Sequence, residues 1–436
     1  MPTARLAAIP DIFTLHARDP ARYPVLLETA AGNGWDILLA YPYSINNYPA
    51  CRRNDFFEHF ASSWQEAHAA TDQEANIPFR GGWFVYLGYE LLHSLEPSVI
   101  ARSVDSGDFP SAGFMRIPAA LMIDRTAGTA WAFAESAELL NRLQTEAVNC
   151  AAVSLPELIL HDLVEEPDEV FLHGVSRIKR YIEDGDIFQA NLSRRWRGRL
   201  QHEQSAAALY RALRLSNPAP FAGIADLGDG NVIVSSSPER LAKVEAGRIV
   251  TRPIAGTHPR HADPEQDALI RSNLIAHPKE RAEHIMLVDL ERNDLGRICI
   301  PGSVRVEELM SVTSYRHVHH IESTVTGKLR ETITPMDVIR ALFPGGTITG
   351  CPKVRTMQII RELEATPRGA YTGSMGYINL DGDMDLNILI RTMTLSRMNL
   401  VFSAGAGIVA DSDPQRELSE TRAKAKGLLS AMGIVS

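Results

Sequence analysis

The chain has 436 residues, 45% of them hydrophobic and 22% charged, with a formal net charge of -9. This is enough apolar chain for a large core, and an acidic balance with no basic cluster argues against a nucleic-acid partner. Cys51, Cys150, Cys299 and Cys351 lie far apart with no CxxC pair, so neither a zinc site nor a disulfide framework is signalled, and reduced thiols in the cytoplasm are expected.

The N-terminal MPTARLAAIPDIF lacks the apolar core of a signal peptide, and no run is long and apolar enough to cross a membrane. Residues 35–40 read as a buried strand stopped by Pro42, and 81–89 as a strand whose glycines let another backbone approach. Residues 119–124 and 129–133 read as a hairpin about Ala127-Gly128. The polar run 163–169 reads as a linker, dividing an N-terminal region, 1–165, from a motif-rich region, 166–436. Phe171, Val175, Ile178 and Ile182 form one apolar helical stripe, ended near Gly185. Residues 232–235, 248–251 and 376–380 read as strands. Thr334 and Pro335 open a helix as N-cap and first residue, Pro352 opens another, and a last helix spans about 415–432. The fold class is therefore mixed α/β, with sheets covered by helices.

Several constellations carry chemistry. Glu417, Glu420 and Lys424 share one face of the last helix, and Glu280 and Glu283 share a face of an earlier one. Each face alone reads as solvated. The run Gly405-Ala406-Gly407 adds backbone N–H groups, and carboxylates, such a nest and a lysine together describe a Mg²⁺ site bridging to an anionic substrate. Mg²⁺ keeps waters and needs only one or two protein carboxylates. The glycine turn of residues 343–353 resembles a phosphate-binding P-loop, but Cys351 stands where the lysine must be, so nucleotide binding is rejected. Glu239, in Ser237-Pro238-Glu239-Arg240, is a general acid if burial raises its pKa, or else a surface residue. In Tyr315-Arg316-His317-Val318-His319-His320, strand alternation puts His317 and His319 on one face and His320 on the other. Without HExxH spacing or cysteines a transition-metal site is not signalled; His320 is left as a pocket donor or a satisfied core histidine.

Taken in order, these stretches resemble the chorismate-utilising enzymes, the family of anthranilate, aminodeoxychorismate, isochorismate and salicylate synthases. The blocks are Gly185-Asp186-Ile187-Phe188-Gln189-Ala190-Asn191-Leu192, Ser237-Pro238-Glu239, Pro253-Ile254-Ala255-Gly256-Thr257, Leu290-Glu291-Arg292-Asn293-Asp294-Leu295-Gly296-Arg297, the glycine turn, Tyr371-Thr372-Gly373-Ser374-Met375-Gly376-Tyr377, and Gly405 through Lys424. The resemblance implies a sandwich of two large sheets with helices outside. It implies Mg²⁺ on Glu283 and Glu420, with Glu417 close by through water, gripping the ring carboxylate of chorismate. Tyr371, Arg391, Lys424 and the backbone of Gly405, Ala406 and Gly407 would clamp the enolpyruvyl carboxylate, Thr257 and His320 would line the ring, and Glu239 would protonate the departing C4 hydroxyl. Gln189 stands where the water-using members carry a lysine base, which disfavours hydration and leaves the two ammonia-using synthases. Asn191 and the turn Gly345-Gly346-Thr347-Ile348-Thr349 resemble aminodeoxychorismate synthase, the first expectation, whose product leads to p-aminobenzoate and folate. Ala255 replaces the lysine that many of those enzymes carry and matches anthranilate synthase, the alternative; a methyl group is no nucleophile. A non-catalytic scaffold for an amidotransferase is a third reading. With no amidotransferase segment in the chain, ammonia is expected from a separate glutamine amidotransferase subunit. The N-terminal region shares Gly81-Gly82-Trp83 and Gly88-Tyr89 with the family, implying a vestigial tryptophan pocket; where relatives carry serine after a leucine pair, Leu38-Leu39-Ala40-Tyr41 stands.

Overall fold

The computed structural model describes residues 1–30, 32–68, 76–101, 109–148, 151–202, 205–261, 263–314 and 318–434. In the N-terminal region these form β1 (Thr3–Arg5), α1 (Ile12–Arg18), β2 (Val25–Glu28), β3 (Trp35–Ala40), β4 (Ser44–Tyr48), α2 (Asp55–Ala67), β5 (Gly82–Leu87), α3 (Leu92–Leu95), β6 (Ala112–Ile117), β7 (Ala119–Asp124), β8 (Thr129–Ala134) and α4 (Ala137–Val148). There follow β9 (Leu160–Glu165), α5 (Asp168–Glu183), β10 (Gln189–Leu200), α6 (Ser205–Ser216), β11 (Phe221–Asp226), β12 (Asn231–Ser237), β13 (Arg240–Glu245), β14 (Arg248–Thr251), β15 (Ile254–Pro259), α7 (Pro264–Ala276) and α8 (Pro278–Gly296). The rest comprises β16 (Arg305–Ser314), β17 (Val318–Lys328), α9 (Pro335–Leu342), β18 (Gly350–Cys351), α10 (Lys353–Leu363), β19 (Ser374–Asn379), β20 (Met384–Asn387), β21 (Thr392–Ser396), β22 (Asn399–Ile408) and α11 (Pro414–Ala431).

Two antiparallel sheets take up these strands. One runs β1-β8-β7-β3-β2-β11-β12-β21-β22-β10-β18, with β9 on β10; the other runs β15-β17-β14-β13-β20-β19-β5-β6-β4, with β16 on β17. The β2–β11 and β5–β19 ladders join the N-terminal and C-terminal regions, so both regions build both sheets. The expected linker is not one. Leu160–Glu165 is a strand on β10, and α5 starts at Asp168. Its acidic residues are drawn in by the buried Arg194, whose guanidinium pairs with Glu165 and Asp168 at 2.6 Å each.

The unbroken apolar run of β3 has a simple cause: both faces are covered. Ile37 and Leu39 enter the core between the sheets with Phe84, Tyr86, Met115 and Met375, while Leu38 and Ala40 pack outward with Tyr210, Leu213, Ala425 and Leu428 of α6 and α11. Likewise Phe84 and Tyr86 of β5 point between the sheets, and Trp83, Val85 and Leu87 lie under Phe56 and Phe60 of α2. Each such side chain contributes about 1.5–3 kcal/mol on burial, which explains why these segments read so clearly. The predicted cap of α9 is also present: Thr334 and Asp337 form a reciprocal capping box ahead of Pro335.

Candidate active site

Two crossings between the sheets set the site. The chain leaves β12 in one sheet and enters β13 in the other, with Glu239 at the corner. It leaves β20 and enters β21 in the reverse direction through residues 388–391. The corners are stitched together. Ser237 Oγ donates to the Ile388 carbonyl and accepts the Glu239 N–H at 3.2 Å, and the Ile388 N–H donates to the Glu239 carbonyl at 3.0 Å. A third segment joins them: Thr372 donates through its N–H to the Leu389 carbonyl, and Leu389 to that of Gly373, both at 2.8 Å. Thr372 (φ 63°) and Arg391 (φ 51°) hold left-handed backbone that non-glycine residues rarely adopt, the kind of strain that concentrates at functional sites.

Glu239 is 5% exposed, and Thr347 donates to its Oε1 at 2.6 Å. Burial pushes its carboxyl up to about 8; the Thr347 hydrogen bond opposes this, Glu291 and Glu322 add to it, and Lys424 opposes it. At neutral pH it therefore holds a proton, as a general acid must. The bland reading of Glu239 as a surface residue is excluded. Arg391 forms no ion pair among the described residues, and desolvation lowers its pKa. It is a cation placed where an anion would be its first strong partner. His320 is buried and its imidazole is pushed down to about 4 by burial, then by the nearby charge of Arg391, so it is neutral at pH 7. Thr257 pairs with His320 through the backbone of the β15–β17 ladder; its side chain, like all of His317, lies outside the described residues.

The wall opposite is the β10–β22 ladder, where Asn191 faces Gly407 and Ser193 faces Gly405. The Asn191 N–H donates away from β22 to Thr349, and the Gly405 carbonyl accepts Lys424 Nζ at 3.0 Å instead of a β10 donor. In an antiparallel ladder, this makes these the wide pairs, and the Gly405 and Gly407 N–H groups point away from β10, past the end of β21. The two glycines differ in how tightly they are enclosed. A Cβ at Gly405 would lie 2.6 Å from both Asn191 Oδ1 and the Tyr371 hydroxyl, and one at Gly407 would lie 2.5 Å from Gln189 Nε2. Gln189 Oε1 and Asn191 Oδ1 are buried with no hydrogen-bond partner among the described residues, an arrangement that costs free energy unless a ligand completes it. Tyr371 is buried, which raises its hydroxyl pKa, and it lies 5.6 Å from the Arg368 guanidinium.

The acidic helices border the same chamber. From α8, Glu280 Oε2 lies 2.8 Å from the Cβ position of Gly256, beside His320, and Glu291 acts on Glu239. From α11, Lys424 acts on both Glu239 and His320, and pairs with Glu420 at 2.7 Å. Glu283 and Glu417 are partly buried, and Glu420 is half-exposed. Among the described residues no three His, Cys, Asp or Glu side chains gather as a preformed metal cage. Glu283, Glu417 and Glu420 offer carboxylate oxygens, the donor type Mg²⁺ takes, and Mg²⁺ needs only one or two of them beside water.

Three residues escaped sequence reasoning. Thr347 was visible only as part of the glycine turn. Glu291 was visible only as part of a motif block. Arg368 pairs with Glu364 at 2.7 Å and donates to the Asn191, Ile348 and Thr372 segments, binding three walls of the site together. A separate cavity of about 380 Å³ lies behind Glu239, lined by Glu28, Thr29, Arg80, Pro238, Arg240 and Met375 among others. It holds none of the predicted site residues. Leu27-Glu28-Thr29 reach it, whereas Leu39 is packed in the core between the sheets and Leu38 and Ala40 face the outer helices.

A buried carboxyl whose pKa is raised, a buried imidazole, a guanidinium with no ion pair among the described residues and outward-facing N–H groups thus lie near one another, chemistry suited to a small organic anion. Comparison gives it a family: residues 24–430 match the model of the chorismate-binding enzymes, and the chain belongs to that family. It is 42% identical over 359 residues to the anthranilate synthase component I-like protein of Synechocystis sp., covering 82% of this chain and 74% of that one. It is 40% identical over 377 residues to anthranilate synthase component 1 of Streptomyces coelicolor, covering 81% and 73%. The crystal structure of anthranilate synthase component I from Streptococcus pneumoniae superposes with a TM-score of 0.78 at 31% identity, over 90% of this chain and 92% of that one. The expected sandwich fold is thus the observed one. The relatives' names favour anthranilate synthase, the alternative, over the aminodeoxychorismate reading preferred from sequence.

Proposed function

We propose that this chain aminates chorismate with ammonia at C2 and releases pyruvate, giving anthranilate. The observation that carries the choice is Ala255. Its neighbour Ile254 lines the rear cavity, so alternation turns the Ala255 methyl toward the α8 side, next to the Gly256 contact of His320. No protein nucleophile stands there to add to the ring, so ammonia itself is the nucleophile.

In this reading Arg391, Tyr371 and the Gly405 and Gly407 N–H groups orient the enolpyruvyl carboxylate. Glu283 and Glu420, with Glu417 near, would hold Mg²⁺, which when bound neutralises the ring carboxylate. Glu239 gives its proton to the C4 oxygen, which leaves as water while the C2–N bond forms and both ring double bonds shift, C1=C2 to C1=C6 and C5=C6 to C4=C5. Loss of the C2 proton with cleavage of the C3–O bond then forms C2=C3, completes the aromatic ring and expels enolpyruvate, whose methylene takes up a proton to give pyruvate. Neutral His320 and the orphaned oxygens of Gln189 and Asn191 supply acceptors for ammonia's protons. The relatives' name, component 1, supports a second component, which we infer to be a separate glutamine amidotransferase supplying ammonia. The rear cavity is where we infer the tryptophan-type pocket of the N-terminal region.

The second reading, 4-amino-4-deoxychorismate, is favoured by Asn191 and by the Gly345–Thr349 turn. Turnover with ¹⁵N-ammonium, Mg²⁺ and chorismate separates them. We expect labelled anthranilate and one pyruvate per turn with no added lyase; labelled aminodeoxychorismate overturns the C2 assignment, and unconsumed chorismate overturns both.

A further inference from the structure

We propose that Glu291 positions the acid: facing Glu239 across the Gly346-Thr347 turn, it sets which of the two carboxyls carries the proton. This rests on reading Glu239 as the general acid. Glu291 is 8% exposed, and its Oε1 lies 3.6 Å from the Cβ position of Gly346. The next residue, Thr347, holds Glu239 Oε1 at 2.6 Å. Lys353, the cation that acts on Glu291, pairs with Asp294 at 2.9 Å and donates to the Leu342 carbonyl. Burial and Asp294 together push the Glu291 carboxyl up to about 7, opposed by Lys353 and the Thr251 hydroxyl. The charge of Glu291 in turn acts on Glu239, so that once Glu291 is ionised Glu239 holds its proton more tightly.

The other groups facing the pair are accounted for. Glu322, from β17, is paired with Arg252 at 2.9 Å. His320 is neutral at pH 7, and His284 of α8 is bonded to Ser323 at 2.6 Å. Lys424 faces Glu239 from α11 and is paired with Glu420. On α9, Asp337 serves the helix cap and Arg340 lies over Phe57.

Removing the Glu291 charge makes Glu239 easier to ionise, so Glu291→Gln should move the alkaline limb of kcat to lower pH, by roughly one unit. Thr347→Val removes a hydrogen bond that favours the ionised form, and should move the same limb to higher pH. A purely structural role for Glu291 would lower Tm and leave both limbs in place. The decisive readout needs no turnover: infrared titration of the protonated carboxyls in the substrate-free enzyme. We expect the Glu239 midpoint to fall in both Glu291→Gln and Glu291→Ala, so one folded variant suffices. Midpoints that do not move in either variant overturn the proposal. Coupled midpoints combined with full turnover in Glu239→Gln would support the pair and overturn the acid role of Glu239.

Discussion

Replacing Gly405 by alanine tests the geometry of the anion cradle. The added methyl would lie 2.6 Å from Asn191 Oδ1, 2.6 Å from the Tyr371 hydroxyl and 2.7 Å from the Leu192 carbonyl oxygen. The last of these is backbone in the neighbouring strand and cannot rotate away, so β22 must shift. Forcing an extra methyl into a packed site costs about 1–3 kcal/mol. The shift also moves the Gly405 N–H and the Tyr371 hydroxyl, which we propose hold the substrate carboxylate, and each loss of about 1.4 kcal/mol there weakens binding tenfold. Gly407→Ala is the control. Its methyl meets Gln189 Nε2 at 2.5 Å, the end of a flexible side chain, with the next atom at 3.6 Å. Thermal unfolding and chorismate titration should therefore rank the variants. We expect Gly405→Ala to be destabilised and at least tenfold weaker in binding, and Gly407→Ala to change by only a few-fold with little loss of stability. Equal effects, or the reverse order, would refute the cradle as described.

Arg391→Ala should raise KM for chorismate tenfold or more, since charged hydrogen bonds carry about 1.5–3 kcal/mol, without lowering Tm, because the guanidinium forms no ion pair among the described residues; a large Tm loss would assign it a structural role. Glu420→Ala should abolish Mg²⁺-dependent turnover, and an unchanged rate at limiting Mg²⁺ would remove it from the metal site. The Glu239 carboxyl keeps its proton to about pH 8 in the fold and releases it near 4.5 when unfolded. Its contribution is therefore present below pH 4.5 and lost as pH rises to 8, by up to a few kcal/mol at about 1.4 per unit. Chemical denaturation of Glu239→Gln should show its stability relative to wild type improving from pH 5 to pH 8.5, and a constant difference would contradict the buried, protonated state.

The parts of the fold that were legible in the sequence had strong local causes. β3 and the β7–β8 hairpin showed as apolar runs because both faces are buried, and α9 announced itself through Thr334 and Pro335. β9 was misread because Glu165, and Asp168 beyond it, look solvated in sequence; their partner, the buried Arg194, comes from the next strand. The site was legible in its residue types but not in its roles. Glu239 is ambiguous until burial is known, because desolvation by residues far along the chain makes it an acid. Thr347, Glu291 and Arg368 act through neighbours from other segments, and single-sequence spacing carries no trace of such contacts. The residues that reach the rear cavity follow Leu26 in β2, beside Leu38-Leu39 of β3; which of two similar apolar strands lines a cavity is visible only from the ladder.

A crystal structure of the chain with Mg²⁺ and chorismate tests the central claim most directly. The account predicts one metal between Glu283 of α8 and Glu420 of α11 on the ring carboxylate, the enolpyruvyl carboxylate on Arg391 and the Gly405 and Gly407 N–H groups, and the C4 hydroxyl within hydrogen-bonding reach of Glu239. Chorismate bound elsewhere, or bound there with its C4 hydroxyl turned away from Glu239, would contradict it.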